Sequence, residues 1–144
     1  MEYTTNYLSG IVIAIIIIWS ALYLTRAASI RMNHDEELLT VQVIGRAVGL
    51  ALRTVIETIR KDDWKNAAYH IAVCESRLDL YQPVSVSCMY YREQLIIVVS
   101  EMKHCVEAAK AQDWNMANTH LVSAAHMYNA CTESIRRQRN GQPK

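Results

Sequence analysis

The chain carries eighteen consecutive residues without a charge, Leu8 to Thr25, reading LSGIVIAIIIIWSALYLT. As a helix rising 1.5 Å per residue, such a run reaches about 27 Å, close to the hydrocarbon thickness of a bilayer. A helix that is apolar on every side has no face to offer water, so it is buried in a core or in lipid. The polar, charged stretch from Arg31 to Glu37 follows at once and argues against burial in this chain's own core. Two readings remain. A secretory signal has an apolar stretch of about 7–15 residues before a small-x-small cleavage site. Ile11 to Leu24 fits the stretch, and Thr25-Arg26-Ala27 or Ala27-Ala28-Ser29 fits the site. An uncleaved anchor would bear the same run. No Lys or Arg precedes it, and Arg26 is the first basic residue, so an anchor would leave the C-terminal side in the cytoplasm. Residues 1–29 are therefore expected to be a signal peptide or a membrane anchor, with export preferred, partly on account of the cysteines.

The remaining residues suffice for one helical domain, expected over 34–138, with 139–144 as a polar tail. Four glycines and two prolines in 144 residues leave few turn-formers, and Ala, Leu, Ile, Glu and Arg are plentiful. That usage favours long helices over strands. Apolar residues recur at steps of three and four, the helical period. One stripe is Val41, Ile44, Val48, Ala51, Val55 and Ile59; a second is Trp64, Ala67, Ile71, Cys74 and Leu78. A third is Ile96, Val99, Met102, Val106 and Ala109, and a fourth is Trp114, Ala117, Leu121, Ala124, Tyr128 and Cys131. The spacing predicts helices over 36–61, 64–80, 85–111 and 114–137. Asp63 and Asp113 stand where N-caps are wanted, Pro83 separates the second helix from the third, and Ser85 or Ser87 suits the cap that follows. Short connections force neighbours to run antiparallel, so the expected fold is all-α, an antiparallel four-helix bundle behind the hydrophobic helix. An internal echo supports this. Ile56-Glu57 through Asp63-Trp64 resembles Val106-Glu107 through Asp113-Trp114, and Ala67 and His70 correspond to Ala117 and His120.

Chemistry is sparsely signalled. The 15 Lys and Arg balance 14 Asp and Glu, which leaves no basic stripe for a nucleic-acid backbone. None of the five histidines falls in HExxH, and GxSxG, GxxxxGK and GxGxxG do not occur. The acidic pairs Asp62-Asp63 and Glu36-Glu37 read as solvated helix starts, and Arg136, Arg137 and Arg139 as a favourable helix C-terminus. No catalytic residue, metal ligand or cofactor is expected, although His70 and Cys74 sit one turn apart, and the chain reads as a non-enzyme. Four cysteines, Cys74, Cys88, Cys105 and Cys131, allow two bridges in three pairings, or four buried thiols acting as small hydrophobes.

Between Ser87 and Arg137 the chain resembles the plant invertase and pectin methylesterase inhibitor family. The resemblance is carried by Cys88, the run Leu95-Ile96-Ile97-Val98-Val99, Asp113-Trp114, Ser123-Ala124-Ala125 and Cys131. The family's N-terminal cysteine pair has no counterpart before Cys74, and its Pro-Lys-Phe tripeptide does not occur. The resemblance implies a secreted, apoplastic inhibitor without enzymatic activity, bridged between Cys88 and Cys131; Cys74 and Cys105 do not stand level along antiparallel helices and are expected to stay unbridged. Its target would be a plant cell-wall carbohydrate enzyme, pectin methylesterase before invertase, blocked by occlusion of the active-site cleft. The partner-binding residues expected on that account are Glu101, Gln112, Asp113, Asn118 and Thr119. The alternative is a single-pass membrane protein, touching lipid only through residues 8–25, whose bundle is an adaptor for a protein partner.

Overall fold

The computed structural model describes the backbone of residues 2–141 and the side chains of residues 16–24, 26 and 33–141. Residues 142–144 of the expected tail, and the side chains of residues 8–15 and 25 of the apolar run, lie outside the described residues. The described chain is all-helical: α1 spans Glu2–Arg60, α2 Trp64–Leu80, α3 Val86–Lys110 and α4 Trp114–Arg139. The ends of α2, α3 and α4 fall within two residues of the expected ones. The first helix differs, because α1 takes in both the apolar run and the expected helix over 36–61. Residues 25–36 contain neither Gly nor Pro, and Ala27, Ala28, Arg31, Met32 and Glu36 all favour helix, so nothing in the sequence stops it. The chain nevertheless divides into two compact units, Met1–Glu36 and Glu37–Lys144.

In the first unit the described apolar side chains from Ile16 to Leu24 are exposed. The second unit has a core of its own. Leu38, Val41, Ile44, Val48, Leu52 and Val55 of α1 meet Ile71, Cys74 and Leu78 of α2 there. From α3 come Cys88, Leu95, Val98, Val99 and Met102, and from α4 Ala124, Cys131 and Ile135. Contacts between α3 and α4 join residue 87 to 138, 91 to 131 and 101 to 120, so the numbering runs in opposite directions along the pair. Between α2 and α3, Arg92 Nε donates to the Leu78 carbonyl at 2.9 Å and Lys103 Nζ to Glu75 at 3.1 Å.

The echo in sequence is an echo in geometry. Each hairpin turn puts one non-glycine residue in the left-handed region, Asp62 at φ 54° and Gln112 at φ 60°. Each closes α1 or α3 with the same pair of bonds: Asp63 N to Thr58 O and Asp62 N to Ile59 O, then Asp113 N to Ala108 O and Gln112 N to Ala109 O. This is the Schellman pattern, which satisfies carbonyls the helix end would leave unpaired. The second residue of each turn then caps the next helix. Asp63 accepts from Asn66 N at 3.2 Å and Asp113 from Met116 N at 3.0 Å. The connection from α2 to α3 is built otherwise. Ser85 caps α3, and the Glu37 carboxylate accepts from Val84 N at 2.8 Å and Ser85 N at 2.9 Å. The buried Tyr81 donates its hydroxyl to the Glu37 carbonyl at 3.0 Å. Burial first, then Cys88 and Glu37 nearby, raise the Tyr81 hydroxyl well above its ordinary pKa, so it stays a donor.

α1 meets α4 through two glycines. A methyl group on Gly49 would overlap the hydroxyl end of Tyr128, whereas one on Gly45 would meet only Thr132 Cγ2 at 4.0 Å. Gly45→Ala should therefore stabilise the fold by about 0.5–1 kcal/mol, the ordinary helix-interior gain. Gly49→Ala should cost about 1–3 kcal/mol through overpacking. In a Tyr128→Ala background the same Gly49→Ala change should turn stabilising. Urea denaturation of the four variants reads the reversal, and a Gly49→Ala cost that persists without the tyrosine would refute the packing.

Candidate functional site

Two histidines and a carboxylate converge on the α3–α4 hairpin. Glu101 and His104 are three residues apart on α3, which places them on one face. The hairpin turn at 111–113 brings His120 of α4 opposite them. His120 Nδ1 lies 2.8 Å from Glu101 Oε2, and the His104 and His120 rings stand 5.2 Å apart, centre to centre. One ligand-capable atom from each of the three falls within 4.8 Å of the others. His104 is exposed, whereas Glu101 and His120 are partly covered. The neighbouring Lys103 is engaged with Glu75 of α2 instead. His70 is the counterpart of His120 in the first hairpin, and there it packs edge-on against Tyr69. The positions matching Glu101 and His104 are Ala51 and Thr54, so the first hairpin has no equivalent cluster.

The five expected partner-binding residues have separate placements. Glu101 is held by His120. Gln112 forms the left-handed turn residue and Asp113 the cap of α4, so both shape the hairpin. Thr119 donates back to the Asn115 carbonyl at 2.9 Å. Gln112, Asp113, Asn118 and Thr119 are exposed around the start of α4. Two apolar side chains join them, Trp114 at 55% and Met116 at 48% exposure. Trp64, the counterpart of Trp114, instead packs against the core. An exposed aromatic ringed by polar groups is the composition of an interaction hot spot.

All four cysteines are buried free thiols. Cys131 Sγ donates to the Tyr91 carbonyl at 3.8 Å, three residues along α3 from Cys88. Burial pushes the Cys131 thiol up to about 11, and it raises those of Cys74 and Cys105 as well. A thiol kept protonated is a poor nucleophile, so these groups pack rather than react. Two of the shallow grooves on the second unit lie between helix pairs. One of about 360 Å³ lies between α2 and α3 over Leu78, Ile96 and Val99, with Glu75 and Lys103 at its edge. The other, of about 220 Å³, lies between α1 and α4 over Gly45, Arg46, Tyr128 and Thr132. Polar side chains line both, Ser100 and Asp79 in the first and Glu133 and Arg136 in the second.

The sequence signal that pointed nearest to the histidine cluster was the echo, which singled out His70 and His120 without their surroundings. Glu101-x-x-His104 gained meaning only once the hairpin set residue 120 against residue 101. No protein-family model, curated protein or solved structure matches this chain.

Proposed function

We propose that the chain is a non-enzymatic protein-binding module, an antiparallel four-helix bundle carried on a membrane by its N-terminal helix. The observation behind this reading is the exposure of the apolar run. Ile16, Ile17, Ile18, Trp19, Leu22, Tyr23 and Leu24 each keep more than half of their surface exposed. Nine consecutive positions cover every side of a helix, so water would meet apolar surface all round, and lipid is the solvent that suits it. Retention of the segment is supported by its backbone. The small residues that suit a cleavage site, 27–29, lie within α1, whereas proteolysis favours exposed, irregular chain. With its first basic residues after the run, the anchor leaves the bundle on the cytoplasmic side, where thiols stay reduced. The partner surface on this reading is the start of α4, with Trp114 and Met116 at its centre and Gln112, Asn118 and Thr119 around them. Flotation tests the reading: the full chain should rise with phosphatidylcholine vesicles at alkaline pH, and release by alkali would contradict it.

One contact favours the second reading, a secreted inhibitor of a pectin methylesterase-like enzyme. Cys131 Sγ sits against the α3 backbone at Tyr91, one turn along from Cys88, the cysteine it would bridge. On that reading the N-terminal segment is removed, and the α3–α4 hairpin occludes the target's cleft.

A further inference from the structure

The structure points to a metal site: we infer that Glu101, His104 and His120 bind a zinc ion that ties α3 to α4 and leaves one coordination position open. Two imidazoles and one carboxylate form a mixed nitrogen and oxygen set, which suits zinc and its neighbours better than calcium or magnesium, whose ligands are oxygens. Three protein ligands with a fourth position for water is also the usual arrangement of an accessible zinc site.

The geometry is close to what the ion requires. Zinc bonds of about 2.0–2.2 Å in a tetrahedron put ligand atoms about 3.3 Å from one another. Here one ligand atom from each of the three lies within 4.8 Å of the others, and His120 Nδ1 is 2.8 Å from Glu101 Oε2. Reaching that spacing asks the pair to open slightly and the exposed His104 ring, already beside His120, to turn toward it. Glu101 and His104 share one face of α3, so both can reach one ion. The contact between Glu101 and His120 fixes the ring that would receive the ion. The exposed edge at His104 admits the ion from solvent and leaves room for a water or for a donor atom from a bound protein.

The first hairpin supplies an internal control. His70 occupies the position equivalent to His120 but faces Tyr69 and lacks the other two ligands. The test uses the full chain in detergent, without a polyhistidine tag and stripped with chelator, titrated with zinc against a fluorescent zinc indicator. The expected result is one zinc per chain. His104→Ala and His120→Ala should each lower the affinity about tenfold or more, and Glu101→Gln should also weaken it. His70→Ala should leave it unchanged. Circular dichroism of each variant checks that the helices persist. Cobalt(II) should give the visible absorption of a tetrahedral site in the wild type and lose it in His120→Ala. The proposal falls if the folded wild type takes up no stoichiometric zinc. It falls equally if binding survives the double change His104→Ala, His120→Ala and is abolished by alkylating the thiols, which would assign the metal to cysteine.

Discussion

A chain lacking residues 1–29 should remain in solution when mixed with phosphatidylcholine vesicles, while the full chain floats with them. Removal takes away the apolar run from Leu8 to Thr25. Each Ile or Leu near the middle of such a helix favours insertion by about 0.3–0.6 kcal/mol, and the run has many. What remains contains the second unit, Glu37–Lys144, with its separate core. That unit does expose Leu80, Val84 and Val86 around the α2–α3 connection, the end at which Glu37 binds Tyr81, Val84 and Ser85. Scattered exposed apolar side chains are ordinary on soluble proteins. Residual flotation of the shortened chain, lost on changing Val84 and Val86 to Asp, would make this patch a second membrane surface and would overturn the single-anchor account.

Leu95→Ala should be the most damaging single truncation in α3. Leu95 is fully buried, and removing such a side chain costs about 2–5 kcal/mol, because the neighbours relax only partly into the cavity. Set against a total of about 5–15 kcal/mol, that is a large share. Ile97, two residues on, is 40% exposed and should cost well under half as much. Urea denaturation of the shortened chain measures both. Equal costs would mean that the register of α3 against its neighbours is wrong.

The contrast between Leu95 and Ile97 marks what could be read beforehand. Leu95-Ile96-Ile97-Val98-Val99 is an unbroken apolar run, so its inward face is set by the neighbouring helices rather than by the run itself. The third stripe began at Ile96, which packs only partly against the core, while Leu95, Val98 and Val99 are buried. Helix ends were clearer because they depend on local chemistry. Asp63 and Asp113 cap the helices expected of them, and Pro83 lies in the break between α2 and α3. The left-handed residues were not foreseeable from type, since Asp62 and Gln112 stand where glycine is usual. The continuity of α1 departs from the expectation because the charged stretch from Arg31 to Glu37 changes the polarity of the chain without changing its structure. The stretch between the two halves contains no helix breaker, so a change in polarity does not end the helix. The Glu101, His104 and His120 cluster needed tertiary register, which no spacing within one helix contains. Gln112 and Asp113 were expected as partner contacts for their polarity, yet their geometry already gives each a task in the turn.

Membrane retention and secretion make opposite statements about the same molecule, its N-terminal segment and its cysteines. Intact mass of the protein taken from its own compartment, after rapid thiol labelling in denaturant with and without prior reduction, reads both at once. Denaturant is needed because the thiols are buried and Cys131 is held protonated. The anchored-bundle account predicts a mass that includes residues 1–29 and four labelled thiols whether or not reductant is added first. A mass short of that segment, with two labels before reduction and four after, and with Cys88 joined to Cys131 in the peptide map, would contradict it and favour the secreted inhibitor.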